Sequence, residues 1–125
     1  MPSLSTLRSL TAVSIVLAAV CVPLHARAAD HDGDWTVYVI TEQGKCDHST
    51  SLSVRVTHGI VEYAGYTSAV VNGTVSPAGV ASVTIRHFEE GATANGRLGG
   101  RTGAGAWHGV SRDGPCSGHW QAERR

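Results

Sequence analysis

Gly33–Thr41 has the sequence GDWTVYVIT, an apolar and β-branched run that opens with a Gly-x-Trp step. Trp35, Val37 and Val39 recur at every second position, so in a strand they share one face. A second Trp-bearing segment, Cys116–Arg125, ends the chain. We predict that these two segments pair side by side and that the chain between them closes into a ring of strands.

The first 28 residues have the features of a cleaved export signal. Arg8 precedes the apolar run Leu10–Val22, and Ala26-Arg27-Ala28 matches a small-x-small cleavage site. The apolar run is short of the roughly 20 residues that span a bilayer, so we expect no membrane span after cleavage. We therefore predict a signal peptide over residues 1–28 and a periplasmic or secreted domain over residues 29–125.

The charge balance of the mature chain excludes some partners. The whole chain has 10 Lys and Arg against 10 Asp and Glu. Removal of Arg8 and Arg27 leaves eight basic residues and a formal charge of −2. No basic cluster stands out, which argues against a nucleic-acid partner and against docking on an anionic membrane. The sequence does not indicate an oligomeric state.

Two cysteines, Cys46 and Cys116, remain after export. Exported chains meet an oxidising compartment, so we predict a disulfide between them. It would close a loop of roughly 70 residues and contribute about 4 kcal/mol in the chain-entropy model. A metal-ligand pair and a redox pair are the alternatives, although there is no Cys-x-x-Cys spacing.

The mature chain shows eight segments of period-two or Val-rich pattern, separated by turn residues such as those of Glu89-Glu90-Gly91. The segments are Asp34–Thr41, Ser51–Thr57, Ile60–Ala64, Thr67–Ser76, Val80–Phe88, Ala92–Gly99, Gly103–Val110 and Cys116–Glu123. They predict an all-β, eight-stranded antiparallel up-and-down barrel, because closure removes both sticky edges. A meander rolled into two packed sheets is the second choice. We expect Asn72-Gly73 to form a bulge or bend, and the lead Ala29–Asp32 to be mobile.

Small residues dominate the sixth and seventh segments, as in Gly103-Ala104-Gly105-Ala106. They indicate either a tightly curved wall or an unfilled interior. An eight-stranded barrel is just wide enough to be filled by side chains or to hold one small ligand. Both remain open, and we favour a filled interior.

Gly33-Asp34-Trp35 resembles the Gly-x-Trp opening of the calycin barrels, the group of lipocalins, avidins and bacterial metalloprotease inhibitors. In that group the Trp plugs one end of the barrel, and an Arg near the end of the last strand packs across it. The resemblance implies a calycin-like barrel with Arg124 or Arg125 over Trp35. A guanidinium over an indole face is favourable by about 0.5–1 kcal/mol when exposed.

A longer series of motifs resembles a group of short exported proteins of Gram-negative soil bacteria. The motifs are Gly-x-Trp, Gly44-Lys45-Cys46-Asp47, Val75-Ser76-Pro77-x-Gly79, Gly96-Arg97-Leu98, Gly103-x-Gly105-x-Trp107 and Cys116–Arg125. The group is largely uncharacterised. Some of its members carry loose labels such as haem utilisation or adhesion, which is an association and not a mechanism.

Six aromatic or imidazole side chains are the candidate ligand-binding residues: Trp35, Trp107, Trp120, Tyr63, Tyr66 and His87. The tryptophans are more typical of core and barrel-end packing, and the two tyrosines of an exposed corner. His108 and His119 each flank a Trp and are weak candidates for a metal, but we predict no metal site. No catalytic motif is present, so we predict no catalytic residues and no enzyme.

These observations favour an exported, non-enzymatic binding module for a small apolar or haem-like ligand. Haem is the only cofactor considered, and none is required. The first alternative is an inhibitor of a secreted protease that inserts the Ala29–Asp32 lead into the enzyme's cleft. The second is a structural or adhesive envelope protein with a filled barrel and a contact surface near Tyr63 and Tyr66. The partner is thus a small molecule or a secreted protein.

Overall fold

The computed structural model describes residues 12–21, 30–65 and 68–125. Eight strands form a closed antiparallel barrel in which each strand pairs with the next in sequence. The strands are β1 (Gly33–Gln43), β2 (Ser49–Thr57), β3 (Ile60–Tyr63), β4 (Val70–Val75), β5 (Val80–His87), β6 (Glu90–Leu98), β7 (Thr102–Ser111) and β8 (Gly114–Arg124). The predicted all-β barrel is confirmed, and the two-sheet alternative is wrong.

The predicted signal peptide lies mostly outside the described residues and stays a prediction. Of its 28 positions the structure describes only 12–21, where Val13, Leu17 and other apolar side chains are exposed. Within the described ranges, no helix has the length and apolar character needed to cross a bilayer.

The barrel closes where β1 pairs with β8. Trp35 lies opposite Arg124 and Val39 lies opposite Trp120, so the two Trp-bearing ends of the chain lie side by side as predicted. The register shifts between Thr41 and Gln43, at a β-bulge or irregularity near the end of β1. The predicted disulfide between Cys46 and Cys116 is confirmed, with 6.0 Å between the two Cα atoms.

The turn between β5 and β6 differs from its prediction. Glu89-Glu90-Gly91 was expected there, but His87 pairs with Glu90 and the turn consists of Phe88 and Glu89. Phe88 has a φ of 56°, a left-handed conformation that two-residue hairpin turns usually assign to Gly, Asn or Asp. The predicted turn therefore begins one residue too late, because Phe88 is a residue that rarely adopts this backbone.

Asn72-Gly73 lies inside β4, but not as a bulge or bend. Asn72 pairs with Thr84 and Gly73 with Val83, in an unbroken register. A Cβ on Gly73 would lie 2.7 Å from Cγ2 of Val83, so the close approach of that side chain accounts for the glycine. The strand is also shorter than the predicted Thr67–Ser76, whose residue 67 lies outside the described ranges.

The core lies at one end of the barrel, which we call the floor: the end where β1 begins and β8 finishes. The most buried apolar side chains there are Trp35 at 1% exposure, Ala122 at 2% and Val56 at 3%. The Cζ atom of Arg124 lies 5.0 Å from the centre of the Trp35 ring, as the resemblance to calycin barrels implied. This stack closes the floor.

Residues 30–32 are held against the floor, so the prediction of a mobile lead is wrong for them; Ala29 lies outside the described residues. Nε1 of Trp35 donates to the His31 carbonyl at 2.9 Å, and Arg124 donates to the Asp30 carbonyl at 2.6 Å. The Asp32 carboxylate accepts the backbone N–H groups of His58 at 2.7 Å and Gly59 at 3.1 Å. His31 is itself buried, at 6% exposure. Residues 30–32 are thus part of the fold.

These contacts make the stability of the floor sensitive to acid. The two backbone N–H bonds lower the pKa of Asp32 from its ordinary 3.8. The hydrogen bond from Arg55, 2.8 Å from the Asp34 carboxylate, lowers the pKa of Asp34 in the same way. Because the carboxylate is the favoured form in the folded state, the stabilisation is fully present above pH 3.8 and is lost as the pH falls through the folded-state pKa.

We predict that Asp32→Asn lowers the free energy of unfolding most at neutral pH, because Asn cannot supply the charged acceptor. The gap between the wild type and this variant should narrow as the pH falls from about 5 to about 2. Urea unfolding followed by tryptophan fluorescence at a series of pH values measures the gap. A gap that stays constant over this range would contradict the assigned role of the carboxylate.

Candidate functional site

The interior of the barrel is not filled. It holds a cavity of about 440 Å³, which we call the chamber. The expectation of a filled interior is therefore wrong. Its volume falls within the roughly 300–1,000 Å³ range of small-molecule sites in proteins.

The wall of the chamber is almost wholly apolar and comes from every strand of the barrel. Its residues alternate along each strand with outward-facing ones, as the period-two pattern requires. The wall and floor residues are Trp35, Val37, Val39, Leu52, Val54, Val56, Val61, Val71, Val75, Ala81, Val83, Ile85, Ala92, Ala94, Leu98, Trp107, Trp120 and Ala122.

The chamber is closed at the floor and open at the opposite end, which we call the mouth. The polar lining residues all belong to the end where β1 finishes and β8 begins. They are Thr41, Lys45, Asp47, Thr50, Glu90, Ser111 and Asp113, and the disulfide-bonded Cys46 lies among them. Lys45, Asp47 and Asp113 are exposed, whereas the floor residues Trp35 and Ala122 are buried. A ligand would therefore enter at the mouth.

The disulfide fixes one side of the mouth. Cys46 lies in the loop between β1 and β2, and its bond to Cys116 ties that loop to the start of β8. The backbone N–H of Cys46 also donates to Sγ of Cys116 at 3.1 Å. Gly44, with a φ of 94°, lets the loop pass close to the Pro115 carbonyl and to Cys116. Lys45 and Asp47, on either side of Cys46, are thereby placed at the mouth.

The chamber stays open because two large indoles lie along its wall. Nε1 of Trp107, on β7, donates to the Ile40 carbonyl of β1 at 3.0 Å, so this ring spans the intervening strand β8. The Trp120 ring lies against Gly96 and Gly105: Cβ atoms placed there would lie 2.5 and 2.7 Å from it. Because Gly96 and Gly105 have no side chains, the Trp120 indole can pack against β6 and β7, and the centre of the barrel stays open.

Trp120 carries an energetic cost in this position. Its Nε1 is buried and has no hydrogen-bond partner within the described part of the chain. An unsatisfied buried donor typically costs about 1–3 kcal/mol. Since this atom has almost no accessible surface, a molecule in the chamber does not reach it either. The ring acts as an apolar wall.

The structure brings together only some of the predicted ligand-binding residues. Trp35, Trp107 and Trp120 all line the chamber. His87 does not line the chamber but lines an adjoining depression of about 190 Å³, which shares Glu90 and Trp107 with it. Tyr63 is half-buried and packs on Gly65, where a Cβ would overlap its ring, and it is not among the residues that line the chamber. Tyr66 lies outside the described residues.

His108 and His119 lie on the outside of the barrel. Their neighbours Trp107 and Trp120 point into the chamber instead, and successive residues of a strand face opposite sides. Nδ1 of His119 lies 2.5 Å from a carboxylate oxygen of the exposed Glu42. No group of three or more His, Cys, Asp or Glu side chains in the described residues has the geometry to hold a metal ion.

The sequence prediction missed the charged residues of the mouth, Lys45, Asp47, Glu90 and Asp113. Glu90 was missed because the β5–β6 turn was placed one residue too late, which assigned it to a turn. The other three lie in loops without periodicity. One signal was available: the predicted disulfide already placed Lys45 and Asp47 beside the start of the last strand.

Comparison with known proteins gives no family for this chain. No protein-family model, curated protein or solved structure matches it. The resemblance of the sequence to exported proteins of soil bacteria and to calycins therefore stays a prediction.

We predict that Gly105→Ala lowers the free energy of unfolding by about 1–3 kcal/mol, as overpacking of a core does. The new Cβ would overlap the Asn95 carbonyl and lie 2.7 Å from Cε2 of Trp120. Gly100→Ala is the matched control, because a Cβ there has nothing within 4 Å. Urea unfolding of both variants measures the difference. Equal stability of the two variants would contradict the close packing of Trp120 and Asn95 against Gly105.

Proposed function

We propose that this protein is a non-enzymatic binding protein for a small, largely apolar molecule held inside its barrel. The chamber of about 440 Å³ is the single observation that carries the proposal. A barrel of this size can be filled by its own side chains. The side chains around the open interior lack the van der Waals contacts that a filled core would give them. A ligand of matching shape would restore the missing contacts.

The lining supports an apolar ligand. Apart from the mouth it consists of aliphatic side chains and three tryptophans. Burial of apolar ligand surface against them is favourable by about 25 cal/mol per Å². The described residues of the wall and floor include no charged group, so a buried charge would lack a partner there.

Haem is less well supported than a simple apolar ligand. Its iron is normally held by the side chain of a His, Cys, Met or Tyr. Among the described lining residues there is no His, Met or Tyr, and the one Cys, Cys46, is bonded to Cys116. His87 lines the adjoining depression and not the chamber. We therefore do not extend the proposal to haem.

The mouth residues also favour binding over catalysis. The hydroxyl of Thr41 donates to the Asp47 carbonyl at 2.6 Å, and that of Ser111 to the Gly114 carbonyl at 3.1 Å. Cys46 is held in the disulfide. These groups are thus not paired with a base that would activate them as nucleophiles.

The described residues support the two alternative functions less well than they support ligand binding. The protease inhibitor needed a free lead, but residues 30–32 are bonded to the floor. The envelope protein needed a filled barrel, which the chamber contradicts; its contact surface near Tyr63 and Tyr66 is not tested, because Tyr66 lies outside the described residues. Export to the periplasm or beyond remains part of our proposal, and the disulfide supports it, because such bonds persist in oxidising compartments.

We predict that the purified protein binds N-phenyl-1-naphthylamine, an uncharged fluorescent probe, and that Ala94→Phe weakens binding at least tenfold, a loss of about 1.4 kcal/mol. Ala94 lines the chamber, so a Phe ring there would occupy it. Ala106→Phe is the matched control, because Ala106 is exposed on the neighbouring strand β7. The measurement is probe fluorescence during titration with protein.

Absence of probe binding by the wild type would contradict the proposal. So would equal weakening by Ala94→Phe and Ala106→Phe, because the probe would then bind outside the chamber. Circular dichroism of each variant shows whether it has kept its fold.

A further inference from the structure

We propose that the ligand is an amphiphile with a positively charged headgroup, such as a long-chain amine, whose apolar part fills the chamber and whose cation lies at the mouth. This inference rests on the proposed binding function and adds the chemical class of the ligand. It is carried by the position of the charged side chains in the chamber lining. The described residues of the floor and wall are apolar, and the charged ones lie at the mouth.

Three carboxylates and one ammonium group line the mouth. Asp47 lies in the β1–β2 loop, Glu90 is the first residue of β6, and Asp113 lies in the β7–β8 turn. Lys45 is the only cation among the described lining residues. The lining of the mouth therefore carries a formal charge of −2.

The carboxylates of the mouth are not neutralised by the protein. Within the described residues the salt bridges join Arg55 to Asp34 and His119 to Glu42, and neither includes a residue that lines the mouth. The Glu90 carboxylate accepts the backbone N–H of Arg112, at a long 3.4 Å. Charge that the protein leaves uncompensated beside an apolar cavity is available to a ligand.

The neighbouring charges do not reverse this sign. Arg112 and Glu89, in the two turns beside the mouth, are exposed and of opposite charge, so they cancel formally. His48 and His87 also lie at this end of the barrel, in the β1–β2 loop and at the end of β5, and Glu42, near the end of β1, is paired with His119. Asp47 and Asp113 lie in two different connections and Glu90 begins β6. No group of the described residues has the geometry to hold a metal ion. The mouth thus attracts a cation by its net charge and not by a set of metal ligands, which suits an organic cation better than a metal ion.

The position of the headgroup follows from the lining. An apolar chain binds most favourably when it fills the chamber, because that buries the most apolar surface. A charged group on the chain would lose its hydration inside the apolar chamber, at a large cost in free energy. The charge therefore stays at the mouth, where it meets the carboxylates. A cation is attracted there and an anion repelled, and low-dielectric walls strengthen both effects.

The test is displacement of N-phenyl-1-naphthylamine by three ligands of equal chain length: decylamine, decanol and decanoate. At pH 7 the first is a cation and the last an anion, as the ordinary pKa values of amines and carboxylic acids require. We expect decylamine to bind about tenfold more tightly than decanoate at low salt, with decanol between them. The ratio should shrink in 1 M NaCl, where the screening length is only about 3 Å.

Three charge variants test whether the preference for decylamine over decanoate arises at the mouth. Glu90→Gln should reduce the ratio of decylamine to decanoate affinity by about twofold to threefold, the range for exposed charge pairs. Lys45→Gln should increase it. Glu123→Gln is the matched control: it removes the same charge near the floor end of β8, where Glu123 is exposed. It should leave the ratio unchanged.

Equal affinity for decylamine and decanoate, or tighter binding of decanoate, would overturn the inference. So would a ratio that Glu90→Gln and Glu123→Gln change equally, because the mouth would then not be its source. In each of these cases probe and decanol binding would leave the proposed function intact. If neither the probe nor decanol binds, the proposed function itself fails, and this inference with it.

Discussion

The pairing of β1 with β8 is the constraint on which the rest of the structure depends. Because Trp35 lies opposite Arg124 and Val39 opposite Trp120, the first and last strands have no free edge, and the inner faces of all eight strands enclose one space. The same pairing brings Arg124 onto Trp35 and lets residues 30–32 close the floor. It also brings Cys116 within bonding distance of Cys46. The closed floor and the disulfide at the mouth therefore both depend on the pairing of β1 with β8.

The glycines of β6 and β7 determine what the enclosed space becomes. Gly96 and Gly105 pair with each other, and the Trp120 indole lies against both. Bulkier residues there would push the ring inward and fill the chamber. The wall thus combines its largest side chains with its smallest, which keeps the centre open although the barrel has only eight strands.

Much of the fold could be predicted from the sequence because its signals are local and periodic. Alternating valines, turn residues and two cysteines led to the strand number, the closure and the disulfide. The state of the interior could not be predicted, because small residues are compatible with a tight wall or with a cavity. The contacts of residues 30–32 could not be predicted, because the hydrogen bonds that Asp32 accepts from His58 and Gly59 join positions far apart in sequence. The strand residue Glu90 was missed because Phe88 adopts a backbone that is rare for it. The tryptophans of the site were foreseen, whereas its charges, carried mainly by loops, were not.

Hydrogen exchange of the backbone amides of β1 and β8, measured by NMR residue by residue, tests the closure most directly. In a closed barrel the amides of residues 35–41 bond alternately to β2 and to β8, so all of them should exchange slowly. Slow exchange along the whole of this segment and along its partner in β8 is the result expected here. Fast exchange at every second amide of both strands would show two free edges, and the chamber and the binding function argued from it would then be wrong.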